Sequence, residues 1–145
     1  MRRNRRGARE GLKLRGTLVI TVIGKDGKVK TRRVIRNTVT SDGITAICEL
    51  IVGIRTTPFK YIAIGQGTPS ESGLGAEVAR KEATVNVPGY AYWEATFTAD
   101  ASWSITEAGI FDAPSGGTML AYQSFGAVDL SPGDQIRITW SLTLS

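Results

Sequence analysis

The chain has 145 residues with 41% hydrophobic side chains and a mean hydropathy of -0.06, which suits one domain with its own core and excludes a disordered polypeptide. It contains no histidine and one cysteine, Cys48, which excludes Ser–His–Asp and Cys–His catalysis, an internal disulfide and a structural zinc site. The net charge of +5 is sharply divided: residues 1–36 carry 13 Lys or Arg against Glu10 and Asp26, a net +11, whereas residues 37–145 carry five against 11 acids, a net −6. A basic front on an acidic body attracts further copies of itself, an acidic neighbour or nucleic acid.

Residues 1–15 read MRRNRRGAREGLKLR, with Leu12 and Leu14 as the only sizeable apolar side chains. This stretch cannot bury enough surface to fold alone, which predicts an extended basic arm that orders when something holds it. It lacks the apolar stretch of a signal peptide, and no later run approaches the roughly 18–20 apolar residues of a membrane-spanning helix. Synthesis in the cytoplasm is the expectation. A single domain over residues 16–145 follows the arm. It opens with a basic hairpin over 16–36, in which the β-branched run TLVITVI turns at Asp26–Gly27 and returns as VKTRRVIRN.

One helix is predicted over 41–53, capped by Ser41 or Asp42 and ended by Gly53. Ile44, Ile47, Cys48 and Ile51 fall on one stripe, expected to pack on the sheet with Cys48 buried as a small hydrophobe. Residues 58–145 read as the main strands. Segments 60–65, 81–87, 90–99, 104–112, 118–125 and 135–145 are separated by turns, with a Gly/Ser/Pro-rich loop at 66–77. In the last segment Ile136, Ile138, Trp140, Leu142 and Leu144 alternate with polar residues, the signature of a half-buried antiparallel strand. The fold class is therefore mainly β, an antiparallel β-sandwich or barrel of about seven or eight strands with one short helix and an extended basic N-terminal arm.

Glycosidase-type chemistry would need two of Glu94, Glu107, Asp112, Asp129 and Asp134 at a defined separation in a cleft, but acids on strands and turns are far commoner as surface groups. Asp129 and Asp134 flank a turn without EF-hand spacing, and the expectation is neither metal nor cofactor. Gly65, Gly67, Gly73 and Gly75 open no helix of a dinucleotide fold and read as a flexible loop. Arg2, Arg3, Arg5, Arg6 and Arg9, followed by Lys13 and Arg15, form a cationic cluster suited to an acidic neighbouring subunit, with nucleic-acid phosphate as the alternative. The cluster has no interleaved aromatic for base stacking. Alternation buries Trp93 and Phe97 and leaves Tyr90 and Tyr92 as outward surface contacts.

Several segments in order carry a resemblance: NTVTSDG entering the helix, YIAIGQGT, ITEAGIF followed by GGTMLA, and PGDQIRITWSLTL at the end. Together they resemble small virion structural proteins of tailed phages and related prokaryotic viruses, tail-fibre-like or capsid-decoration-like, over residues 37–145, about three-quarters of the chain. The arginine-rich arm departs from that pattern and favours a capsid-bound role over a plain tail fibre. The resemblance implies a non-enzymatic virion protein: a capsid decoration, cement or turret-type subunit, or alternatively a tail component. Its implied partners are further copies in a homo-oligomer and the major capsid or tail proteins.

Overall fold

The structure is a computed structural model and describes residues 13–144. These residues form nine strands and one helix: β1 (Leu14–Ile23), β2 (Val29–Val39), α1 (Ser41–Ile51), β3 (Tyr61–Gly65), β4 (Glu77–Glu82), β5 (Thr84–Asn86), β6 (Ala91–Thr98), β7 (Trp103–Phe111), β8 (Met119–Leu130) and β9 (Gln135–Leu144). Every pairing is antiparallel, in the order β4-β3-β7-β8-β2-β1-β9-β6-β5. The fold is mainly β with two antiparallel sheets, consistent with a sandwich, and has one strand more than the upper expectation. The extra strand arises because the single segment expected at 81–87 is two strands that part at Ala83, one at each end of the order.

The first sheet contains β2, β1, β9, β6 and β5. Asp26 makes the β1–β2 turn, its carboxylate accepting from the Lys28 amide at 3.0 Å while Gly27 takes φ +81°. In β1 and β9 the pleat sends Leu18, Ile20, Val22, Ile136, Ile138, Trp140 and Leu142 inward, all buried. Leu144, at the strand end, is exposed. Burying each of the aliphatic side chains contributes about 1.5–3 kcal/mol. Trp93, Ala95 and Phe97 of β6 complete this inner face, as their alternation predicts.

The second sheet contains β4, β3, β7 and β8 and supplies Ile62, Ile64, Ile105, Ala108, Ile110, Val128 and Leu130 to the same core. β2 joins the sheets, because its last residues, Thr38 and Val39, pair with Tyr122 and Ala121 of β8. Nearer the start of β2, Arg33 reaches back to β8, donating to the carbonyls of Gly126 and Ala127 at 2.7 and 3.1 Å. At the other margin the break at Ala83, whose amide donates to the Lys60 carbonyl at 2.7 Å, passes the chain from one sheet to the other. Strands that switch sheets at a bend in this way form the corners of stacked sheets.

The helix departs from expectation in its cap and in its buried face. Thr40, not Ser41 or Asp42, is the N-cap: its hydroxyl accepts from the Gly43 amide at 2.7 Å and donates to the Met119 carbonyl at 2.7 Å. The Thr40 amide also donates to the Leu120 carbonyl, so the first turn lies flush on β8. A Cβ at position 43 would overlap the Leu120 backbone, and only glycine fits there. The helix therefore buries Gly43 and Ala46, with Ile47 and Leu50 partly covered. Ile44, Cys48 and Ile51 face away and are exposed, contrary to the expectation of a buried Cys48. Gly53 ends the helix as expected, at φ +80°. The helix is not long and apolar enough to cross a membrane.

Candidate functional site

Of the five acids, Asp129 and Asp134 line one open groove with Lys30, and the others make separate contacts. Glu94 accepts from the Tyr92 hydroxyl at 2.7 Å, Asp129 from the Ser104 hydroxyl at 2.9 Å, and Asp112 from Arg55 and the Thr118 amide, both at 2.7 Å. No group of three or more His, Cys, Asp or Glu that could hold a metal ion occurs among the described residues. Asp112 closes a turn and holds Arg55, Asp129 links β8 to β7, and Glu94 bonds within its own strand.

Glu107 is the acid whose role sequence reasoning missed. It lies at a register shift between β7 and β8, where Ile105 and Ile110, five residues apart, both reach the main core. A strand that alternates regularly would send them to opposite faces. The irregularity turns Glu107 onto the outer side of the sheet, where residues 66–76 cover it completely. Its oxygens accept the amides of Gly67, Gly75 and Ala76 at 2.8, 2.7 and 2.8 Å. A Cβ on Gly65 would overlap this carboxylate and the Ala76 carbonyl, and one on Gly67 would overlap the backbone at Gly75 and Ala76. These glycines therefore serve close packing of an ordered loop rather than flexibility. The signal in the sequence was an acid within β7 between Ile105 and Ile110, with the Gly-rich segment 65–75 earlier in the chain.

Asp134 closes the turn before β9. Its carboxylate accepts from the Ser131 amide at 2.9 Å and from Lys30 at 3.1 and 3.2 Å. The Ser131 hydrogen bond, and after it the Lys30 ammonium, hold its carboxyl below the usual aspartate range. A carboxyl so depressed on folding contributes stability that is complete above the ordinary value near 3.9 and is lost as pH falls through the folded-state value. Asp134→Asn should therefore melt below the parent at neutral pH, with the gap closing in thermal scans carried down to about pH 2. A gap that stays constant with pH would contradict this.

Three arginines lie exposed on the first sheet. β1, β2 and β9 contain no Asp or Glu, and Arg15, Arg32 and Arg36 are exposed and make no ion pair among the described residues. Lys13 and Arg15, expected in the arm, lie where the first sheet begins: Lys13 precedes β1, and Arg15 within it pairs with Thr143 of β9. Arg2, Arg3, Arg5, Arg6 and Arg9 lie outside the described residues.

Tyr90 is exposed and Tyr92 half-buried. The Tyr92 phenol is pushed above its ordinary value, chiefly by its hydrogen bond to Glu94 and then by burial. It borders an open groove of about 460 Å³ lined by Pro58, Phe59, Val85, Val87 and Trp93. Val87, 77% exposed, stands beside it, and among the described residues β5 pairs only with β6, which leaves its other edge open. A second apolar surface is the end of α1, where Ile51, Val52 and Ile54 are 77%, 67% and 76% exposed. Comparison with known proteins finds no family model, no curated protein and no solved structure that matches this chain.

Proposed function

We propose that the protein is a non-enzymatic structural subunit of a virus particle, a β-sandwich that decorates or cements a capsid and associates with further copies of itself. The observation that supports this best is the pair of apolar surfaces left in water by a chain whose core is already filled. Ile44, Ile51, Val52 and Ile54 cluster at α1, and Val85, Val87 and Tyr90 cluster at the β5 edge. Grouped exposed aliphatic side chains mark protein contacts, and an uncharged open strand edge invites pairing with another chain. Neither surface brings reactive groups together, so both suit a part that works by repetition. The ordered motifs over residues 37–145 agree with the virion reading, and the basic arm favours the capsid over the tail, where attachment to an acidic neighbour would hold the subunit.

Sedimentation of the purified chain tests this, with a defined homo-oligomer as the expected result. Placing charge in the α1 surface, as Ile51→Asp with Ile54→Asp, should weaken association by about tenfold or more. The melting temperature of the dissociated chain should hardly change, because both side chains are in water in the single subunit. A chain that stays monomeric when concentrated and fails to bind isolated capsids would overturn the reading. Loss of capsid binding when Arg2, Arg3, Arg5, Arg6 and Arg9 are changed to alanine would support the arm as the attachment.

A further inference from the structure

We infer that the outer face of β2, β1 and β9 binds the phosphate backbone of double-stranded nucleic acid, without sequence preference. This goes beyond the assembly role and does not depend on it. Strand register puts the relevant side chains in rows across the sheet. Arg36 lies beside Thr17, which lies beside Ser141; Arg32 lies beside Thr21, which lies beside Arg137. Directly paired residues share a face, and the alternate residues Leu18, Ile20, Ile138 and Trp140 point into the core. The arginines therefore share the outward side with the half-buried Thr17 and Ser141, while Thr21, between Arg32 and Arg137, is itself covered, 8% exposed.

Three properties of this face select its partner. First, its charge is of one sign: the three strands carry no acid, and Glu94 on β6, beside Thr139, marks the margin where the positive face ends. Residues 13–36 contain eight Lys or Arg against Asp26 alone, and the sequence before them adds Arg2, Arg3, Arg5, Arg6 and Arg9. Second, arginine and Ser/Thr hydroxyls are side chains that contact phosphate oxygens; protein–protein contacts also use arginine but set it among aromatic side chains, whereas the row between these arginines holds only Val34, Val19 and Thr139. Third, no outward position of β1, β2 or β9 is aromatic, and Tyr92 of β6, beside Ser141 at the margin, is half-buried and held by Glu94, so the face offers unpaired bases little to stack on. Arg32 and Arg36 stand four residues apart on one strand, about 13 Å, far enough to meet separate phosphates. A flat sheet that touches only the backbone reads no bases, which is the reason for the lack of sequence preference.

The test is a mobility-shift series with the full chain and a random-sequence duplex across salt concentrations. Affinity should fall steeply with salt. Arg32→Ala with Arg36→Ala should weaken binding at low salt by about tenfold and reduce the log–log salt slope by about two, one for each phosphate contact removed. The melting temperature should not change, since both side chains are exposed. The same pair of substitutions should weaken a chain whose arm arginines are already alanine, which separates the face from the arm. Undiminished binding by the face variant, with its slope unchanged, would overturn the inference. So would tighter binding of single strands than of duplex, or equal binding of poly-glutamate, which would assign the face to an acidic protein.

Discussion

Glu107→Ala should lower stability by about 3 kcal/mol, with a fall in melting temperature on the order of 10 °C for a domain of this length. The carboxylate is fully buried and receives three backbone amides from residues 67–76. Hydrogen bonds to a charged group contribute about 1.5–3 kcal/mol each. The net is smaller than the sum because a loosened surface loop lets water reach some of the freed amides. Glu107→Gln should cost less, since its one carbonyl oxygen can keep Gly67 and Ala76 while the amide nitrogen then faces the Gly75 N–H, donor against donor. Thermal and denaturant unfolding give the energies. Hydrogen exchange should show the amides of Gly67, Gly75 and Ala76 losing protection ahead of the core strands. A Glu107→Ala protein that melts with the parent would mean that the loop holds its own shape.

The second large effect concerns two tryptophans that sit side by side, Trp93 on β6 and Trp140 on β9. Trp140→Ala should cost about 3–5 kcal/mol, because it empties a fully buried site among Leu18 and its neighbours. Replacement by phenylalanine should separate the pair. The Trp93 indole donates to the Phe59 carbonyl at 2.7 Å, whereas the buried Trp140 indole N–H has no partner among the described residues. Trp93→Phe removes a made bond and leaves a carbonyl bare. Trp140→Phe removes an unpartnered donor, whose loss offsets part of the lost contact area. Trp93→Phe should therefore be the more destabilising by about 1 kcal/mol in denaturant unfolding. The reverse order would refute the assignment of the two indoles.

Much of the fold was legible because it rests on local rules. The turn at Asp26–Gly27 needs only a short side chain and a glycine at positive φ. Strand β9 shows its inner face by strict alternation, from Ile136 to Leu142. The stop at Gly53 needs only the helix's own carbonyls, Cys48 and Leu50, which accept from residues 52 and 53. The helix face was misjudged because two stripes compete at the same period. Ile44, Cys48 and Ile51 are the larger, yet the Thr40 hydrogen bonds to β8 bring the helix so close that the smaller stripe through Gly43 and Ala46 is the one that fits.

By itself the sequence determined the strand-rich class, the hairpin, the position of the helix and the division of charge between its first 36 residues and the rest. Each of these depends on residue type and on neighbours a few positions away. Only the tertiary structure decided that Glu107 gathers a loop from 31 to 40 residues earlier in the chain. It alone decided that the segment around Ala83 parts into strands at opposite margins, that α1 leaves its large aliphatic side chains in water, and that Arg32 and Arg36 share a face without acids. Those outcomes depend on which strands become neighbours. That choice is set by filling one core from two sheets, and no window of local sequence contains it.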